Sequence, residues 1–159
     1  MKTLLASILL CLTAYSTVWA QSAAAPANAA ADEASIKNVI ADETDGYFTQ
    51  NHDKWSKAWL HEPRIQWSGN SEQGEVLLQN GWDALNNFFG GNFEHPQGRS
   101  GLDVRRDQYQ VQTLGNVATA SFVQTMSYNN QTRVSEEVRV LEKQGADWKL
   151  IMVCSRDRR

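Results

Sequence analysis

Residues 133–155, RVSEEVRVLEKQGADWKLIMVCS, decide the fold. Two runs of period-two character, RVSEEVRVLEK and WKLIMVCSR, stand on either side of Gln144-Gly145-Ala146-Asp147, whose residues suit a hairpin turn. In the first run Val134, Glu136 and Val138 share one face, and Arg133, Glu137, Arg139 and Leu141 share the other. The alternation leaves open which face is inward. Towards the N-terminus the same period continues in VATASFVQTMSY and VRRDQYQVQTL, joined through Asn129-Asn130-Gln131 and Gly115-Asn116. Four long strands in succession make a strongly curled antiparallel meander.

Upstream of residue 102 the period changes. DEASIKNVIADETDGYFTQN (32–51) places Ile36, Val39, Ile40, Tyr47 and Phe48 at helical spacing, with Asp32 or Ser35 as N-cap, acidic residues on the exposed face, and Gly46 weakening the last turn. In HDKWSKAWL, Asp53 is the expected cap, and Trp55, Ala58 and Trp59 fall on one face. Pro63 ends this second helix at or before Glu62. RIQWSG reads as one short strand, SEQGE as a turn, and GWDALNNFFGGNF as a third helix of about two turns stopped by Gly90-Gly91. EHPQGRSG reads as loop. Helices followed by an antiparallel meander give an α+β domain, its helices covering one concave sheet face.

Residues 1–20, MKTLLASILLCLTAYSTVWA, read as a signal peptide: Lys2, an apolar run shorter than a membrane span, and Val18-Trp19-Ala20 before Gln21. The expectation is an exported protein, periplasmic or secreted. Residues 21–31 are Ala-rich with few large side chains and read as a flexible leader interrupted by Pro26 and Asn28. Residues 32–159 then form one domain. The formal charge of −3 becomes −4 without Lys2, and no basic stripe interrupts the scattered charges, so nucleic acid is not an expected partner. No membrane span is expected either. Of the two cysteines, Cys11 leaves with the signal, and Cys154 reads as a small hydrophobe in a strand.

The order helix, helix, short strand, helix, four long strands resembles the nuclear transport factor 2-like superfamily, which includes ketosteroid isomerase and the SnoaL-like cyclases. The local likeness is to uncharacterised bacterial members, through an arginine-bearing strand, a hairpin and a Trp-Lys-aliphatic strand ending near serine, here residues 133–155. The resemblance implies a cone: a curled sheet of four long strands plus a short one, covered by three N-terminal helices. It also implies an interior where ligands are held, and pairing of two copies through the outer sheet face. The isomerase's catalytic residues do not carry over. Its aspartate base falls in RIQWSG, which has no carboxylate and offers only Ser68 nearby. Its first-helix tyrosine falls at Asp45, two residues before Tyr47.

His61-Glu62 lacks the second histidine of a zinc helix, and His52, His61 and His95 all sit in or beside loops, so no metal or other cofactor is expected. Trp55, Trp59, Trp67, Trp82 and Phe89 are the expected ligand-binding wall, because such pockets combine aromatic walls with a few polar groups. The candidates for chemistry are His61, Glu62, Glu136 and Tyr47; a carboxylate on the inward strand face would have a raised pKa and could act as acid or base. The expected function is binding of a small apolar molecule. The alternatives are a small isomerase, dehydratase or lyase acting on a small apolar substrate, and a dimerising accessory module.

Overall fold

The computed structural model of the protein describes residues 26–71, 73–94 and 101–158. Three helices, α1 (Pro26–Phe48), α2 (His52–Lys57) and α3 (Trp82–Glu94), accompany two short strands, β1 (Gln66–Asn70) and β2 (Val76–Asn80). Four long strands follow: β3 (Asp103–Leu114), β4 (Val117–Tyr128), β5 (Gln131–Gln144) and β6 (Asp147–Asp157). They form one curled, unclosed sheet in the order β2-β1-β6-β5-β4-β3. Neighbours are antiparallel except β1 and β6, which run parallel. The α+β class and the N-terminal helices are as expected.

Curl comes from specific irregularities. The β3–β4 ladder slips between Asp107 and Gln110, where Gln108 takes a left-handed φ of 57°, and β5–β6 slips between Val140 and Leu141. Bulges of this kind bend and twist a strand. Asn129 and Asn130, both left-handed, close the β4–β5 hairpin, and Gly115 and Gly145 sit in the other two turns. The concave face carries Ala118, Ala120 and Phe122 of β4, Leu141 of β5, and Trp148, Leu150 and Val153 of β6. Against it pack Ile36 and Ile40 of α1, Trp55, Ala58 and Trp59 around α2, and Leu85 of α3.

Five expectations are corrected. Helix α1 begins at Pro26, so residues 26–31 are helical where a flexible leader was expected; residues 1–25 lie outside those described. Proline has a helical φ and no amide hydrogen, so it is tolerated in a first turn. Asp32, expected as a cap, instead accepts from Lys143 Nζ at 2.6 Å and Trp148 Nε1 at 3.0 Å, clasping α1 to the β5–β6 hairpin. Asn51, not Asp53, caps α2, accepting from the Lys54 amide at 3.0 Å.

A second short strand, β2, follows the 71–75 turn, which makes the sheet six-stranded rather than five. It is an edge strand with Val76 and Leu78 exposed, so VLLQN lacks the apolar-in, polar-out signature. Helix α3 runs through Gly90-Gly91 to Glu94. Phe89 and Phe93, one turn apart, hold that segment down, their rings 5.2 and 6.2 Å from Tyr47 and 5.7 and 5.2 Å from Trp55. The EHPQGRSG loop lies almost wholly outside the described residues.

Candidate functional site

The face question for β5 resolves in favour of Ser135, Glu137, Arg139 and Leu141, which are buried, while Glu136 and Val138 face out. Inside the curl, between this face and the helices, lies a cavity of about 340 Å³. One wall is aromatic: Tyr47 from α1, Trp55 from α2, Trp67 from β1, and Phe88 and Phe89 from α3. The opposite wall is polar: Glu43 and Thr44 from α1, Gln124 from β4, Glu137 and Arg139 from β5, and Ser155 from β6. The exposed side chains of Asn92 and Arg133 mark its mouth.

The polar wall is built by phase. Glu43 and Thr44 stand seven and eight residues after Ile36, on the buried stripe of α1. Gln124 follows Ala118, Ala120 and Phe122 at spacing two, and Glu137 and Arg139 precede Leu141 in the same way. Glu137 is 2 % exposed and accepts three hydrogen bonds: from Ser135 Oγ at 2.5 Å, Ser155 Oγ at 2.7 Å and Arg139 Nη1 at 2.6 Å. That acceptor-only pattern is the one an ionised carboxylate makes.

Arg139, 4 % exposed, spends Nη1 on Glu137 and has its guanidinium carbon 5.5 Å from the centre of the Phe122 ring. Its buried Nε has no partner among the described residues. Burial penalises its charge, but Glu137 and Glu43 outweigh that and hold its pKa above the ordinary arginine value. Arg106 donates from Nε to Gln124 Oε1 at 2.9 Å.

Glu43 differs from Glu137. Its one hydrogen-bonding neighbour among the described residues is Thr44, whose single hydroxyl lies 3.1 Å from Ile40 O and 3.2 Å from Glu43 Oε2. Burial pushes the Glu43 carboxyl above the ordinary range, and the nearby Glu137 adds to this, against the opposing pull of Arg139, the Thr44 hydroxyl and Arg106. A carboxyl that burial makes hold its proton more tightly and a fully hydrogen-bonded carboxyl group therefore sit on one wall, an arrangement capable of donating, accepting and moving protons.

Of the residues singled out from sequence, Tyr47, Trp55, Trp67 and Phe89 line the cavity. The others do not. Trp59 is wholly in the core, its backbone bridged to Leu150, and its buried Nε1 has no partner among the described residues. Trp82 and His61 stack on each other outside the cavity, ring centres 3.8 Å apart. His61 Nε2 donates to Ser56 O at 2.9 Å. Glu62 binds Arg64, which also forks onto Glu142. Glu136 lies on the outer face, paired with Arg158 at 3.1 Å. The acidic face of α1 is also corrected, since Glu43 turns inward.

Among the described residues no three of His, Cys, Asp and Glu gather as a metal site, and His52 is bonded through Nε2 to Asn86 Oδ1 at 2.8 Å. No helix among them is long and apolar enough to cross a membrane.

The sequence matches no protein-family model and no curated protein. Solved structures share its fold. A nuclear transport factor 2-like protein of unknown function from Pseudomonas putida KT2440 is 15% identical, with 80% of this chain matched to 87% of that one at a TM-score of 0.65. A superfamily protein from Salmonella enterica serovar Typhimurium is 18% identical over 82% and 94%, at 0.63. A candidate dehydratase of the same family from Streptomyces avermitilis is 8% identical over 81% and 97%, at 0.65. At these identities the likeness is one of fold.

Proposed function

Because the chain carries the nuclear transport factor 2-like fold, we propose that it is an exported domain that binds a small molecule inside its cone. The observation that carries this reading is the 340 Å³ cavity, in which an aromatic wall faces a buried, charged one. That volume lies at the small end of the range of about 300 to 1,000 Å³ typical of ligand sites, and the lining matches their composition. The sequence-based expectation of a purely apolar ligand is modified: Glu43, Gln124, Glu137 and Arg139 would reward polar groups on the ligand. Export rests on residues 1–20, and pairing through the outer sheet face rests on an uncovered surface that includes Val134, Val138 and Val140.

Native mass spectrometry of the mature protein tests binding directly. A reproducible retained small molecule, released on denaturation, is the expected result. A species that stays empty after exposure to a metabolite extract would count against it. A second reading, an isomerase, dehydratase or lyase, is favoured by the buried Glu43 carboxyl with its raised pKa. It predicts turnover of the retained molecule that is lost in Glu43→Gln while binding persists.

A further inference from the structure

The polar wall of the cavity holds a buried hydrogen-bond donor that no acceptor answers among the described residues. Arg139 Nη1 is committed to Glu137, but its buried Nε is unpartnered among the described residues. Gln124, 4 % exposed, gives its Oε1 to Arg106 Nε, which leaves the amide N–H groups as its remaining donors. Glu137, the acceptor that Arg139 does reach, already takes three hydrogen bonds from within the wall. Arg139, always charged, thus has one carboxylate partner whose lone pairs are already engaged. Glu43 makes no hydrogen bond to either arginine among the described residues, and burial favours its uncharged form. The wall is left with a guanidinium N–H that nothing among the described residues answers, which is costly in a buried site.

We propose that the cavity takes a small amphipathic carboxylic acid, its carboxylate against Arg139, Gln124 and Glu43 and its apolar body against Trp67, Phe88 and Phe89. This rests on the small-molecule reading of the same site and names the ligand class. A carboxylate brings a charge opposite to that of Arg139 and several lone pairs for its N–H and for the Gln124 amide. The aromatic wall begins within the same cavity, so one short molecule meets both. Glu43, whose proton burial holds more tightly, supplies a third donor when protonated.

The charged groups that face Glu43 are Arg139 and Glu137 on β5 and Arg106 on β3; Tyr109, on β3, lies near the two arginines and Glu137. As pH rises through the Glu43 titration, its new charge would repel the bound carboxylate and compete for the same arginines. Affinity for an acid therefore falls with rising pH, while that for an uncharged analogue does not.

The experiment titrates the full mature protein with 3-phenylpropanoate, 3-phenylpropanamide and 3-phenylpropan-1-ol, followed by calorimetry and by the fluorescence of Trp55 and Trp67. The acid is expected to bind at least about tenfold more tightly than the amide or the alcohol near neutral pH. Its advantage should shrink at higher pH, and Glu43→Gln should remove that pH dependence while keeping a neutral donor. Arg139→Gln alone would strand Glu137, so the paired change Arg139→Gln with Glu137→Gln is used to show that the preference for the acid disappears. Equal binding of all three probes, or preference for the alcohol, overturns the carboxylate assignment and leaves the small-molecule reading standing. Binding of none of them overturns both.

Discussion

Glu43 is the residue on which the site turns, and its environment has a consequence for stability. In the unfolded chain it would titrate near the ordinary value of 4.5, whereas burial raises it in the fold. The folded state thus keeps its proton after the unfolded state has lost it. The stabilising effect of that proton is complete below the unfolded value and is lost as pH rises through the folded one. Glu43→Gln has no proton to lose. Its melting temperature relative to the unmodified protein should therefore climb as pH is raised above about 4.5 and level off once Glu43 is fully ionised. Each tenfold difference in proton affinity is worth about 1.4 kcal/mol, or a few degrees. A pH-independent difference in melting temperature would mean that Glu43 is not the burial-shifted group described here. Glu43 was legible in principle, since it continues the Ile36-Ile40 stripe, but an acid within DETD reads as part of a solvated face until the helix is given something to pack against.

At the scale of the element, glycine separates what sequence can say from what packing decides. Gly46 and Gly91 both lie inside helices, and propensity alone assigns each a cost of about 1 kcal/mol against alanine. Their surroundings differ. A Cβ on Gly46 would lie 2.5 Å from the Trp55 backbone nitrogen, so this glycine is what allows α2 to cross α1 at contact distance. A Cβ on Gly91 meets nothing within 4 Å. Gly46→Ala should lower the melting temperature by several degrees through overpacking of about 1 to 3 kcal/mol, and Gly91→Ala should raise it by a few degrees; calorimetric scans of the two variants check both signs. The same contrast explains the legibility of the elements. The long strands β3–β6 were readable because local alternation and turn residues specify them. The end of α3 was not, because Gly90-Gly91 is overruled by Phe89 and Phe93 packing on Tyr47 and Trp55. Strand β2 was not, because its pairing with β1 is supplied by another segment. For the site, Tyr47, Trp55, Trp67 and Phe89 were found by residue type, whereas the choice between Glu136 and Glu137 required knowing which sheet face the helices cover.

For the whole molecule, the sheet is a single wall with two uses. Its concave face is closed by helices and holds the cavity, while no described helix covers its convex face. On β5 that face presents Val134, Val138 and Val140, with Val138 39 % exposed; across the ladders Ser121 and Cys154 stand opposite Val138, and Thr119 and Met152 stand opposite Val140. Glu136, between Val134 and Val138 on this face and opposite Arg156, is paired with Arg158. A patch of valine, hydroxyl and sulfur side chains beside one neutralised ion pair is of a kind that protein interfaces bury. The proposed partner is a second copy, because a curled face of this kind can meet itself about a two-fold axis. Val138→Arg places a charge at the centre of that patch without touching the cavity, from which Val138 points away. Sedimentation velocity should show the unmodified protein as a dimer and Val138→Arg as a monomer that still folds and still binds whatever the cavity holds. If the unmodified protein sediments as a monomer at micromolar concentration, pairing through this face is wrong. If Val138→Arg remains dimeric, the copies meet elsewhere, and the exposed β2 edge bearing Val76 and Leu78 becomes the surface to test next.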